Sequence, residues 1–82
     1  MKREIEDIIA EAIDMIQYLS KLEDLAGQKL IDILEKMRQD GEPMTSEPFI
    51  KYYNLAQSFF SQAKRTYKIA EEMDTRFLND TI

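Results

Sequence analysis

The chain has 82 residues, no cysteine, no histidine and a formal net charge of −5 at neutral pH. This length predicts a single domain without disulfides or thiolate metal sites, and without the imidazole that most often serves as a general base. The negative charge argues against direct nucleic-acid binding and against anionic membranes, because both reward Lys and Arg. Apolar runs are too short for a signal peptide or a membrane span, so a cytoplasmic protein without a cofactor is expected.

Apolar residues recur every seven positions in the first half of the chain and predict one long helix over residues 3–39. The repeat consists of Ile5, Ala12, Leu19, Ala26 and Ile33. A heptad repeat keeps one face of a helix toward a partner helix. Residues 20–23, Ser-Lys-Leu-Glu, also fit a capping box, and a break near residue 20 would give a three-helix bundle. We expect the continuous helix because the heptad repeat keeps its phase across residue 20. In this helix Gly27 would lie on the side opposite the repeat.

Residues 40–45 are predicted to form the loop before a second helix over residues 46–78. Gly41 and Pro43 are typical of a helix end, and Thr45 or Ser46 is placed to cap the next helix. The second helix has its own heptad repeat, formed by Phe49, Ala56, Ala63, Ala70 and Phe77. Residues 1–82 are therefore predicted to be one all-α domain, an antiparallel helical hairpin in which residue i faces roughly residue 85 − i.

Both helices carry more apolar residues than one hairpin seam can bury. Two helices cannot cover so wide a band against each other, so a homodimer forming a four-helix bundle, or a permanent larger partner, is expected. Five apolar residues of the first helix are predicted to lie outside the seam and to form the partner-binding surface: Ile13, Tyr18, Leu25, Ile31 and Leu34. An acidic rim beside them would contribute specificity and association rate.

A basic and aromatic cluster lies in the second helix, within a stretch of residues 48–70 that has no acidic residue. Its members are Lys64, Arg65, Tyr67 and Lys68. Cations beside aromatic rings can hold a phosphate and stack a base, which makes the cluster an alternative nucleotide or phosphate site. The hairpin register instead places Lys64 and Arg65 beside Glu23-Asp24 of the first helix, so interhelical ion pairs are the main expectation.

Acidic residues spaced three and four apart form a stripe along the first helix. Within it, Glu11 and Asp14 would lie across the hairpin from Glu71 and Asp74, and carboxylates converging from two helices can hold Mg²⁺. Residues 11–19, Glu-Ala-Ile-Asp followed by Met-Ile-Gln-Tyr-Leu, resemble the all-α nucleoside triphosphate pyrophosphohydrolases of the MazG type, whose paired E-x-x-E and E-x-x-D motifs bind magnesium. The E-x-x-E motif is absent here. The resemblance implies an alternative function, Mg²⁺-dependent nucleotide binding or hydrolysis, whereas a solvated acidic face is the main expectation.

No other pattern points to catalysis. There is no glycine-rich phosphate loop, and no histidine is present to activate a serine or threonine. The expected function is therefore a non-enzymatic interaction module, a small acidic helical regulator, inhibitor or adaptor that binds a larger protein.

Overall fold

The computed structural model describes residues 2–81 and the side chains of residues 4–76. It contains two α-helices, α1 (Lys2–Gln39) and α2 (Glu47–Thr81). They pack side by side in a body with extents of 60 × 14 × 13 Å. The predicted helical hairpin is confirmed. Since α1 runs without a break past residue 20, the three-helix alternative is wrong.

A glycine cap ends α1 at the predicted place. Gly41 has a φ of 87°, a left-handed conformation that glycine adopts without strain. The Gly41 amide donates to the Arg38 carbonyl oxygen at 3.1 Å, and the Glu42 amide donates to that of Met37 at 2.9 Å. These two bonds form a Schellman motif, which satisfies carbonyl groups that the helix end would leave free.

A serine cap begins α2. The Phe49 amide donates to Ser46 Oγ at 3.4 Å, which places Ser46 at the N-cap position. Of the two predicted caps, Thr45 and Ser46, the structure uses the second. The helix then continues to Thr81, beyond the predicted end at residue 78.

The hairpin seam of α1 lies one residue further along the chain than the sequence predicts. The buried residues at heptad spacing are Ile13, Ser20, Gly27 and Leu34. Three residues of the predicted repeat are instead exposed, namely Ile5 (59%), Leu19 (50%) and Ile33 (41%). The placement of Gly27 opposite the seam is also wrong. The small residues at 20 and 27 let α2 approach closely at the observed face.

The seam of α2 follows the predicted repeat. Ala56, Ala63 and Ala70 are buried, and Phe49 is half-buried. The predicted last residue of the repeat, Phe77, lies outside the described side chains.

Two contacts fix the register of the hairpin. Ser20 Oγ donates to the Ala63 carbonyl oxygen at 2.9 Å in the buried centre of the seam. Further along, Gly27 lies against the edge of the Phe60 ring formed by Cδ1, Cε1 and Cζ. The two pairs bracket the predicted pairing of residue i with residue 85 − i, so the antiparallel register is confirmed.

The core of the hairpin is thin. Its buried apolar side chains are Ile13, Leu34 and three alanines, and among residues 4–76 no large side chain is fully buried. The radius of gyration is 18.3 Å, whereas a compact domain of this length would have about 12 Å. The hairpin therefore leaves much of its apolar surface in contact with solvent.

Candidate functional site

The exposed apolar side chains of α1 form a stripe with its own heptad spacing. The α1 stripe is defined here as Ile5, Ile8, Met15, Leu19 and Leu22. All five are exposed, Met15 most of all at 72%. The stripe residue Leu19 directly precedes the seam residue Ser20, and consecutive helical residues are about 100° apart, so the stripe lies about 100° around the helix from the seam. It has the spacing of a coiled-coil interface and no partner within the hairpin.

A second apolar surface is a groove between the two helices. It has a volume of about 820 Å³. The wall from α1 consists of Ser20, Lys21, Asp24 and Leu25, and the wall from α2 consists of Gln57, Phe60, Ala63, Lys64 and Tyr67. Leu25 and Tyr67 are each about half exposed, so the groove offers an aliphatic and an aromatic side chain to solvent from opposite helices. The groove and the α1 stripe share no residue.

Charged groups surround this groove. Lys21 lies on the α1 wall and Lys64 on the α2 wall. Asp24, also on the α1 wall, accepts a hydrogen bond from Gln28 Nε2 at 2.7 Å. The groove therefore combines an apolar interior with charges of both signs.

Glu23 occupies an unfavourable position beside the centre of the seam. Its Oε1 atom is buried and has no hydrogen-bond partner within the described part of the chain. The ion pair predicted between Glu23 and α2 therefore does not engage this oxygen. A buried carboxylate oxygen without a partner loses its hydration and gains no hydrogen bond in return.

The structure divides the five predicted partner-binding residues. Tyr18 (63% exposed) and Leu25 (51% exposed) lie outside the seam as predicted. The same prediction is wrong for Ile13 and Leu34, which are buried in the seam at 6% exposure. Ile31 is half-buried. The physical reason is the shift of the α1 seam by one residue, which moves Ile13 and Leu34 from the flank of the helix to the contact with α2.

The predicted basic cluster is also divided between two surfaces. Lys64 and Tyr67 line the groove. Arg65 lines a separate shallow depression together with polar residues of α2, and Lys68 is exposed. The four side chains therefore do not form one phosphate-binding surface.

The acidic residues of the alternative metal site are solvent-exposed. The side chains of Glu11, Asp14, Glu71 and Asp74 are all in contact with solvent. Across residues 4–76, no group of three or more acidic side chains lies close enough to hold a metal ion. The structure therefore does not bring these four carboxylates together into a magnesium site.

Sequence reasoning assigned the α1 stripe to the hairpin seam and so missed it as an exposed surface. The available signal was the presence of two overlapping heptad repeats in α1. One contains Ile5, Leu19 and Ile33, and the other contains Ile13, Gly27 and Leu34. One hairpin occupies one repeat, so the second repeat indicates a further interface.

Comparison with family models, with curated proteins and with solved structures finds no match to this chain. Over their described residues, neither helix carries an apolar stretch sufficient to cross a lipid bilayer. The geometry of the two apolar surfaces is thus the basis for a functional proposal.

Proposed function

We propose that this protein is a non-enzymatic protein–protein interaction module, a small homodimeric adaptor or regulator that binds a larger protein through its exposed apolar surface. The observation that carries the proposal is the accessible surface of 6687 Å². A compact protein of the same mass would expose roughly 5,100 Å². The excess is roughly 1,600 Å², about twice what one partner buries in an interface of standard size.

Composition of the exposed surface supports the same proposal. Seven exposed large apolar residues belong to the α1 stripe or the groove, and those of the stripe adjoin one another; others, such as Ile50 and Ile69, lie elsewhere on α2. Isolated apolar residues are normal on any protein surface. Contiguous apolar patches of this kind on a soluble protein mark sites of interaction.

The groove is the surface that we assign to the larger protein. An amphipathic helix of the partner would lie between α1 and α2 and place its apolar face on Leu25, Phe60 and Tyr67. An aromatic side chain such as Tyr67 provides a large contact area at low conformational entropy, which is typical of residues that dominate binding energy. The charges of Lys21, Asp24 and Lys64 would set the orientation of the partner and the association rate.

Site-specific photo-crosslinking in the native host tests this assignment. A photoreactive amino acid at position 25 lies in the groove, and the same amino acid at position 58 serves as a matched control. Ser58 is exposed on α2 and does not line the groove. We expect a discrete adduct with one larger protein from position 25 and none from position 58. Equal adducts from both positions, or none from position 25, would refute the assignment.

A further inference from the structure

The continuation of the α1 stripe toward the C-terminal end of the helix carries a distinctive charge pattern. Its heptad spacing runs on through Ala26, Lys29, Ile33 and Lys36. Lys29, Ile33 and Lys36 line one surface depression together with Met37 and two acids, Asp32 and Asp40. At the other end of the stripe, Glu4 immediately precedes the stripe residue Ile5, and Glu11 immediately precedes Ala12, which has the same heptad spacing. Acids edge both halves of this surface, since Asp32 precedes Ile33 and Glu35 precedes Lys36. Only the C-terminal half has lysines at positions of the repeat itself, namely Lys29 and Lys36.

We propose that a second copy of this chain docks on the α1 stripe in antiparallel orientation, about a two-fold axis that crosses the stripe between Leu19 and Leu22. Residue i of one copy then faces roughly residue 41 − i of the other. This inference rests on the proposed interaction role and names the α1 stripe as the surface of self-association. The apolar layers are Leu19 on the partner's Leu22, Met15 on the partner's Ala26, and Ile8 on the partner's Ile33.

Charge complementarity selects the antiparallel orientation. In this register Lys29 faces the partner's Ala12 beside the partner's Glu11, and Lys36 faces the partner's Ile5 beside the partner's Glu4. The two-fold axis repeats each pair, so four opposite-charge contacts form. A parallel pairing would instead bring each of these lysines and glutamates against its own copy, and like charges in register are unfavourable.

The geometry of α1 also fits a second hairpin rather than an unrelated surface. In a four-helix bundle each helix packs against two neighbours at roughly right angles around its axis. The seam and the α1 stripe are about 100° apart, so α2 and the partner's α1 would occupy these two neighbouring positions. Excess surface of roughly 1,600 Å² per chain is also of the size that obligate homodimers bury. The groove remains open in this dimer because none of its residues belongs to the stripe.

Sedimentation equilibrium at protein concentrations of about 1 to 100 µM measures the assembly directly. We expect twice the chain mass of 9.7 kDa. Leu19→Asp, which places a carboxylate near the axis, should give the monomer mass. Ile50→Asp is the matched control, because Ile50 is an exposed apolar residue of α2 that follows the seam residue Phe49 and therefore lies on the side of the hairpin opposite the stripe; it should leave the dimer intact. A wild-type mass of 9.7 kDa throughout the concentration range overturns the proposal.

Disulfide trapping tests the orientation independently of any destabilising variant, since the chain has no cysteine of its own. A mixture of Ala12→Cys and Lys29→Cys chains, one of them carrying a mass tag, should oxidise to the mixed disulfide. Ala12→Cys alone should remain reduced. Rapid oxidation of Ala12→Cys with itself would overturn the antiparallel register. An adduct of position 25 with a larger protein reports on the groove, whereas the sedimentation and disulfide experiments report on the dimer, so failure of the dimer and failure of the proposed function are distinguishable.

Discussion

Gly27 lies in close contact with Phe60. We therefore predict that Gly27→Ala destabilises the protein when Phe60 is present and stabilises it when Phe60 is replaced by alanine. A Cβ atom added at Gly27 would lie 2.7 Å from Phe60 Cε1 and 2.9 Å from Phe60 Cδ1. Non-bonded carbon atoms are at optimal separation at about 3.5–4.0 Å, so the ring must move by roughly 1 Å or more. Phe60 is half-buried in the groove wall, which leaves it some room to turn away.

Two effects of Gly27→Ala oppose each other. Alanine stabilises the interior of a helix by about 1 kcal/mol relative to glycine. Overpacking against a ring in a close interhelical contact costs about 1–3 kcal/mol. We therefore expect Gly27→Ala to lower the free energy of unfolding by about 1 kcal/mol. In a Phe60→Ala background the obstacle is gone, and the same substitution should raise the free energy of unfolding by about 1 kcal/mol.

Urea unfolding of the four proteins of this double-mutant cycle, followed by far-UV circular dichroism at one fixed concentration, measures both values. The expected coupling energy between the two sites is about 2 kcal/mol. A stabilising Gly27→Ala in both backgrounds, with no coupling, would show that Gly27 does not lie against Phe60. The assigned α1 face would then be wrong.

Three further predictions follow from other contacts of the seam and its flanks. Glu23→Met removes a buried oxygen that has no hydrogen-bond partner and should raise the free energy of unfolding by about 1 kcal/mol in urea unfolding; a loss of stability would indicate that this carboxylate has a partner. Ser20→Ala removes the 2.9 Å hydrogen bond to the Ala63 carbonyl oxygen and should lower the free energy of unfolding by about 0.5–1 kcal/mol. Ser58→Ala, on the exposed side of α2, should leave it unchanged. Equal effects of the two substitutions would contradict the placement of Ser20. Millimolar Mg²⁺ should shift the melting temperature no more than NaCl of equal ionic strength, and Asp74→Asn should not alter this response; a magnesium-specific shift that Asp74→Asn abolishes would restore the metal-site alternative.

Much of the fold is readable from local sequence signals. The heptad repeats predict two long helices, and Gly41 and Ser46 provide chemically specific end signals that the structure uses. Continuity of α1 was also predictable, since the apolar phase does not change at residue 20. These features depend on backbone conformation and on residues close in sequence, which is why sequence alone suffices.

The face of α1 that packs against α2 could not be predicted from such local signals. Both heptad repeats of α1 satisfy the apolar spacing of a hairpin, and they differ by a single residue. The more apolar repeat, with Leu19, is the one that the structure exposes, whereas the repeat with Ser20 and Gly27 forms the seam. What distinguishes them is the fit of Phe60 over Gly27 and of Ser20 against Ala63, contacts between residues far apart in the chain.

The wrong choice of the α1 face also explains why the predicted partner-binding surface was only partly correct. Tyr18 and Leu25 are exposed whichever repeat forms the seam, so their exposure was predictable. Ile13 and Leu34 are predicted to be exposed when the seam contains Leu19, and they are buried because the seam contains Ser20 instead. The groove itself requires side chains from both helices, and its existence depends on the register as well as on the face.

The most direct test of the central claim is the affinity of the protein captured from position 25 for purified variants of this chain. Leu25→Lys places a charge in the groove, and Ser58→Lys places the same charge on an exposed position outside it. Loss of a central apolar contact costs about 2 kcal/mol, or roughly a thirtyfold rise in Kd. We expect this rise for Leu25→Lys, with unchanged thermal unfolding, and an unchanged Kd for Ser58→Lys. Equal Kd values for wild type and both variants would contradict the assignment of the groove as the partner-binding surface.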